Sequence, residues 1–388
     1  MIRPAKILGV LAALVAAVVA LGCVLAATRT RARWSPKESA AYLDRREQYW
    51  REWPLAATDH GTFCVSCHTA MPYAFARPAL RSIAAHPAPP APPAPEETAL
   101  LENVRKRVRI WDETEPYYKS MPEQSRGTEA VLNALILAGH DSESGKLSPE
   151  TRAAFDILWK HQQTAGPEKG AWAWILFDNE PWEAMDSPYY GATLAAVAVG
   201  IAPENYAAST EAAAHVAALR DYLRREASAQ TPLNRVNLLW ASIQLPGLLT
   251  SDEQQTIVKE ILARQQADGG WSTSTFMNGW KREDGTPQIT HSDGYATGLA
   301  TLTLDTLGPS GNAESVSRGL AWLSKNQGRW EGQWDAYSLN RRRHNPYSNV
   351  ARFMDDAATS YAVLALTAAA RAPKLNAPAS DPASAPAK

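Results

Sequence analysis

"TIVKEILARQQADGGWSTS", residues 256 to 274, is the stretch from which the architecture can be read. Its first half is an amphipathic helix, with apolar residues at helical spacing and charges opposite. It ends in glutamine, turns through Gly-Gly-Trp, and leads to "SDGYATGLATLTLDTLG" (292–308), which is rich in small residues and apolar almost all round. The same sequence of features recurs twice. "TRAAFDILWKHQQTAGPEKGAWAW" (151–174) leads to "SPYYGATLAAVAVG" (187–200), and "SVSRGLAWLSKNQGRWEGQW" (315–334) leads to "DDAATSYAVLALTAA" (355–369). Thr193, Thr297 and Thr359 fall at matching places in the second helices. Two weaker hairpins, about 97–138 and 211–245, lack the tryptophan turn.

A helix with one apolar stripe lies outside, and one that is apolar all round is buried between neighbours. Five or six such hairpins in a ring give an all-α fold, an α/α toroid over residues 96–371. The glutamine is expected to bond backbone groups left free at helix ends, and the indole to pack across to the next repeat. The pattern resembles the tryptophan-and-glutamine repeat of the squalene–hopene and oxidosqualene cyclases, most clearly in "QQADGGW" (265–271) and in degenerate form in "NQGRWEGQW" (326–334). That resemblance implies the toroid, and fold alone does not give function.

A second feature precedes the repeats. "TFCVSCHTAMPYAFARP" (62–78) holds Cys64 and Cys67, two of the three cysteines in the chain, followed by His68. A structural zinc site usually needs a second ligand pair, and no further cysteine exists to supply one. A redox dithiol is expected in a βαβ setting, which is not visible here. In the third reading the two thiols attach one haem c covalently and His68 is the axial iron ligand. The motif resembles the haem site of c-type cytochromes and defines a small helical haem-binding unit over residues 34–85. Met121, in "YYKSMPEQSRG", is the best-placed distal ligand; His86, His60 or an open position are the alternatives. The unit is too small to bury a haem, and the downstream toroid is the expected cover.

At the N-terminus, Arg3 and Lys6 precede an uncharged apolar run from Ile7 to Thr28. Its length suits a single-pass transmembrane anchor, residues 1–33, in a cytoplasmic membrane. Cleavage near "VLAA" is the alternative. Arg29, Arg31 and Arg33 follow the run and oppose an inside N-terminus; the body is placed in the periplasm because covalent haem is attached outside the cytoplasm. "HPAPPAPPAP" (86–95) reads as a stiff linker, and residues 372–388 as a disordered Pro/Ala/Ser-rich tail. Net charge is −1 with no long basic run, so nucleic acid is not an expected partner.

Chemistry in the toroid is expected at the mouth formed by the long outer-to-inner connections. Candidate catalytic residues there are Asp355, Asp356, Asp293 and His291. The Asp-x-Asp-Asp motif of class II cyclases is absent. The cysteine-bearing zinc site of the protein prenyltransferase β subunits cannot form, because no cysteine follows Cys67. Asp293 and Asp355 also suit helix caps. The basic run "NRRRHN" (340–345) reads as a solvated loop or as a patch for haem propionates or a lipid head group. The functional expectation is a haem protein that transfers electrons to a redox partner protein, or to an isoprenoid or lipid ligand in the toroid. The alternatives are a terpenoid-cyclase-type enzyme and a lipid- or peptide-binding module.

Overall fold

The computed structural model describes residues 34–84, 91–308, 312–342, 345 and 348–371. Among these are twelve α-helices and no strand: α1 Pro36–Glu52, α2 Ala70–Ala84, α3 Pro95–Arg109, α4 Pro122–Ser144, α5 Pro149–Lys160, α6 Ser187–Ile201, α7 Ala213–Glu226, α8 Pro232–Gln244, α9 Ser251–Leu262, α10 Gly294–Leu307, α11 Ala313–Lys325 and α12 Phe353–Arg371. The even-numbered helices form the inner layer. Each packs on two inner neighbours, in the order α2, α4, α6, α8, α10, α12, and α12 packs back on α2 to close a ring. Odd-numbered helices lie outside. Each of α5, α7, α9 and α11 leans on the inner helix before it, and α1 leans on α12 in the same way.

The ring therefore has six hairpins. Residues 36–84, expected as a separate haem-binding unit, form the first of them. The expected linker is not a domain boundary, because Pro95 is already the first residue of α3 and α2 is an inner helix like the other five. Ser35 begins the hairpin by accepting a bond from the Glu38 amide, with Pro36 at the first helical position. Tyr42, Leu43, Arg46, Glu47 and Trp50 make its buried stripe.

Two of the repeated tryptophans pack across to the next repeat, as expected: a Cβ on Gly319 of α11 would lie 3.0 Å from the Trp271 ring, and the Trp334 and Trp34 ring centroids are 6.5 Å apart. Each indole also ties back to its own outer helix: Trp172 Nε1 donates to the Leu158 carbonyl at 2.8 Å, Trp271 Nε1 to Ile261 at 2.8 Å, and Trp334 Nε1 to Leu323 at 2.9 Å. All three indoles are 0 % exposed, and each adds a second donor to a carbonyl that already accepts a backbone N–H in the last turn of its helix, from His161, Arg264 and Asn326 respectively. The glutamines make the hydrogen-bonded crossing. Gln162 Nε2 donates to the carbonyl of Gly170 in its own turn and to that of His215 at the start of α7, both at 3.0 Å. Gln265 Nε2 reaches Gly269 and Ser315, at the start of α11, both at 2.9 Å. Gln327 Nε2 reaches Gly332 at 2.9 Å and Ser35, at the start of α1, at 3.2 Å. The last repeat thus treats the first hairpin as its successor.

Small residues let the inner helices approach. A Cβ on Gly298 of α10 would lie 2.6 Å from the Ala362 nitrogen of α12. Tyr190, Tyr295 and Tyr361 are all buried, as barrel packing requires. Tyr295 meets Tyr361 edge-on at 5.4 Å between ring centroids, and Trp182 meets Tyr295 at the same separation.

No helix among the described residues is long and apolar enough to cross a membrane. The expectation of a single-pass, membrane-anchored periplasmic protein is corrected accordingly; the run from Ile7 to Thr28 on which it stood lies outside the described residues.

Candidate functional site

The Cys-x-x-Cys-His motif occupies the connection from α1 to α2, the outer-to-inner loop of the first hairpin. Three elements pin that loop. Trp50 Nε1 at the end of α1 donates to the Cys64 carbonyl at 2.6 Å. Asn103 of α3 brackets Phe63, accepting from its amide and donating to its carbonyl, each at 2.9 Å. Ser66 Oγ accepts from the Thr69 and Ala70 amides and so caps α2. Cys67 and His68 lie in the turn that enters α2.

Cys64, Cys67 and His68 line one cleft of about 260 Å3 at the mouth. Its wall is aromatic: Trp50, Trp53, Trp182, Tyr118, Phe177 and Phe353. The His68 ring stacks on Phe353 at 4.1 Å and meets Trp50 edge-on at 5.0 Å. Its Nδ1 lies 2.8 Å from Thr69 Oγ1, which donates its own hydrogen to Asp356 Oδ2 at 2.7 Å. The hydroxyl can then only accept from His68, so Nδ1 carries the imidazole proton and Nε2 keeps its lone pair. Burial and the Arg46 charge hold His68 down at about 3, so the ring is neutral. Asp356 is itself clamped by Arg46 and by the Tyr42 hydroxyl, 2.9 Å from Oδ1.

Both cysteines are free and buried, and burial pushes their thiols up. A dithiol redox centre wants the opposite, an accessible cysteine with a lowered pKa. No group of three or more His, Cys, Asp or Glu among the described residues could hold a metal ion. That overturns metal binding by a set of protein ligands. With residues 36–84 built into the ring, it also removes the reading of a cytochrome domain. A covalently attached haem is a different demand: two thiols and one imidazole lone pair on an apolar cleft. Those three groups are present together, and the donor set fits.

Met121 does not line the cleft. It precedes α4 as its N-terminal flanking residue, while Tyr118, three residues earlier, and Met354 of α12 do line it. Glu180 and Glu183, from the α5–α6 connection, add two carboxyls that burial pushes up, to about 8 and about 7. Asp186 contributes to the rise at Glu180. The sequence offered no signal for Phe353, Met354, Trp182 or the Thr69–Asp356–Arg46 chain. The first three and Asp356 lie far along the chain from the motif, and only ring closure brings them to it.

The other candidates separate. Asp293 caps α10: Oδ1 accepts from the Ala296 amide at 3.0 Å and from Thr273 Oγ1 at 2.7 Å, and Oδ2 from the Thr273 amide at 2.6 Å. Asp356 is consumed by its buried ion pair. His291 is exposed, its Nε2 2.9 Å from the Tyr337 hydroxyl. Asp355 lines a second, polar pocket of about 320 Å3, which shares Ser338 and Ala351 with the aromatic cleft. Burial pushes its carboxyl well up, although Oδ1 accepts from the Ala336 amide at 2.9 Å. Arg341 and Arg342 of the basic run line this pocket with Arg282 and Arg352; Arg343 and His344 lie outside the described residues.

No family model matches the chain, that of the cyclases or the cytochromes included, and no curated protein matches it. Among solved structures, a glycosidase in complex with glucose is similar over 85% of this chain and 98% of that one, at 13% identity and a TM-score of 0.45. That likeness carries no argument about what this chain does.

Proposed function

We propose that the chain is an α/α toroid carrying one covalent haem in the aromatic cleft, and that it serves one-electron transfer. The observation that carries this is that both motif thiols and the His68 imidazole line a single cleft with an aromatic wall. Cys64 and Cys67 would form thioethers, and His68 would present Nε2 as axial ligand. Thr69, held by Asp356 and Arg46, keeps the proton on Nδ1 and fixes the ring, as outer-shell partners of a ligating histidine do. Phe353, Trp50 and Trp182 surround the His68 ring, at 4.1, 5.0 and 6.0 Å between ring centroids. Arg282 and Arg342, in the adjoining polar pocket, suit carboxylates at the haem edge. When bound, haem supplies reversible one-electron chemistry at a potential set by its axial ligands and burial.

The test is an optical spectrum of the chain, matured with haem-attachment machinery and denatured in alkaline pyridine. A c-type haemochrome that vanishes in Cys64→Ala/Cys67→Ala supports the reading. Full maturation with no haemochrome ends it. Carbon monoxide added to the native ferrous protein then reports whether the sixth position is open.

A second reading makes Asp355 a general acid in the polar pocket. Its raised carboxyl favours this. The guanidinium groups beside it oppose a carbocation and hence a terpene-cyclase reaction. Unchanged product formation in Asp355→Asn would remove it.

A further inference from the structure

A line of aromatic rings joins the motif to the far end of the ring of helices. The aromatic cleft meets the N-terminal ends of α2 and α12, at His68, Phe353 and Met354. A further cavity, of about 540 Å3, takes residues from the C-terminal halves of the inner helices, among them Ala79 of α2, Trp240 of α8 and Leu364 of α12. The line begins at the His68 ring and ends at Trp240, in the wall of that cavity. His68 to Trp182 is 6.0 Å between ring centroids, Trp182 to Tyr295 5.4 Å, Tyr295 to Tyr361 5.4 Å, and Tyr361 to Trp240 6.4 Å. Trp182 Nε1 also donates to the Tyr295 hydroxyl at 3.1 Å.

Four separate elements supply these rings: the α5–α6 connection, α10, α12 and α8. Trp182, Tyr295 and Tyr361 are buried, and Trp240 is half-buried. Packing accounts for the contacts between them but not for the kind of ring. Indoles and phenols give up one electron far more readily than a phenyl ring does. Tunnelling falls off exponentially with distance, so short steps between rings in contact outrun one long step through the core. A phenol sheds its proton on oxidation, and Tyr295 and Tyr361 lie away from solvent, so neither is a resting place for the hole. Trp240, half-buried at the cavity, can release its indole proton.

We propose, resting on the presence of the haem, that this column carries an oxidising equivalent from the cleft to Trp240 when a peroxide reacts there. Hydrogen peroxide takes up two electrons and two protons, its O–O bond breaks, and two waters form. One electron comes from ferrous iron, which becomes ferric. The other comes from Trp240, by way of Tyr361, Tyr295 and Trp182. Trp240 gives its N–H proton to solvent and is left as a neutral radical, and solvent supplies the second proton consumed at the cleft. The hole thus leaves the neighbourhood of Cys64, Cys67 and His68 for a ring that an external reductant can reach.

The experiment uses the full-length, haem-loaded protein, with loading read first from the haemochrome. The ferrous protein is treated with one equivalent of hydrogen peroxide in air, so that dioxygen adds to the Trp240 radical and marks it for peptide mass spectrometry. Trp240 is expected to be oxygenated ahead of Trp330, although Trp330 is 96 % exposed. Tyr361→Phe keeps the ring but raises the barrier to holding the hole, and should abolish the mark on Trp240 while the iron is still oxidised to ferric. A tyrosine that served packing alone would not show this. Tyr295→Phe repeats the test should the first variant fold or react poorly. Oxygenation of Trp330 ahead of Trp240, a mark on Trp240 that persists in the tyrosine variants, or a loaded protein in which Trp240 stays unmarked overturns the inference and leaves the haem standing. Lack of a haemochrome overturns both.

Discussion

Arg46 and Asp356 form a buried two-point pair, Nε to Oδ1 at 2.7 Å and Nη2 to Oδ2 at 3.0 Å. The two residues stand on α1 and α12, 310 positions apart in the chain. Arg46 also donates to the Asn349 side chain and carbonyl, each at 2.9 Å. Removing one partner leaves the other charge buried and unpaired, which costs about 3–5 kcal/mol. Arg46→Met is expected to lose that much in urea denaturation. A loss under about 1 kcal/mol, the range of exposed pairs, would mean the pair does not hold the ring shut.

Gln327 makes the same two-carbonyl bridge as Gln162 and Gln265, and adds Ser39 Oγ at 2.9 Å and the Ser35 amide, 2.6 Å from its Oε1. Each lost bond is worth about 0.5–1.5 kcal/mol, and more where a buried partner is stranded. Gln327→Ala should destabilise by about 2–4 kcal/mol on that basis, more than Gln162→Ala. Equal melting temperatures for the two variants would argue that the last bridge carries no extra share.

Gly298 has Ala362 backbone where a side chain would begin. Backbone cannot swing aside as the end of a flexible side chain can, so Gly298→Ala must push α10 away from α12. Overpacking of this kind costs about 1–3 kcal/mol. Gly145, which ends α4 with φ at 71° and has open space around it, is the contrast. Its alanine variant strains only the local backbone, so its loss should be the smaller. The reverse order would contradict the close packing of the two inner helices.

Glu180 has its folded-state pKa raised from 4.5 to about 8 by burial and the charge of Asp186. A raised carboxyl binds its proton more tightly when folded. Its contribution to stability is therefore whole below about 4.5 and lost as pH rises through about 8. Glu180→Gln removes that loss. The melting-temperature difference, variant minus wild type, should grow as pH is raised across this window. A difference flat with pH would place the carboxyl in a more hydrated setting.

Most of the ring was legible because its period is repeated in outer and inner helices whose apolar patterns differ. Three hairpins announce themselves by glutamine and tryptophan at fixed places, and two more by helical spacing. The sixth was hidden in plain sight. Its turn holds cysteines and a histidine instead of Gln-Gly-Gly-Trp, and a run of prolines follows it, which reads as a boundary. A connection within a ring and a domain boundary look alike in one dimension; the packing of α2 between α12 and α4 tells them apart. The motif itself was legible at Cys64, Cys67 and His68. Its surroundings were not, since Phe353 and Asp356 come to it only through contacts nearly three hundred positions long.

The bond from Gln327 to Ser35 makes the band continuous in space where the chain is not. A closed band shares an imposed load around its whole circumference, whereas an open one concentrates it at two loose ends. Pulled apart at residues 34 and 371, the protein should yield first at this join and uncoil hairpin by hairpin. Since the motif loop belongs to the first hairpin and Phe353 and Asp356 to the last, the first rupture would also dismantle the pocket around His68.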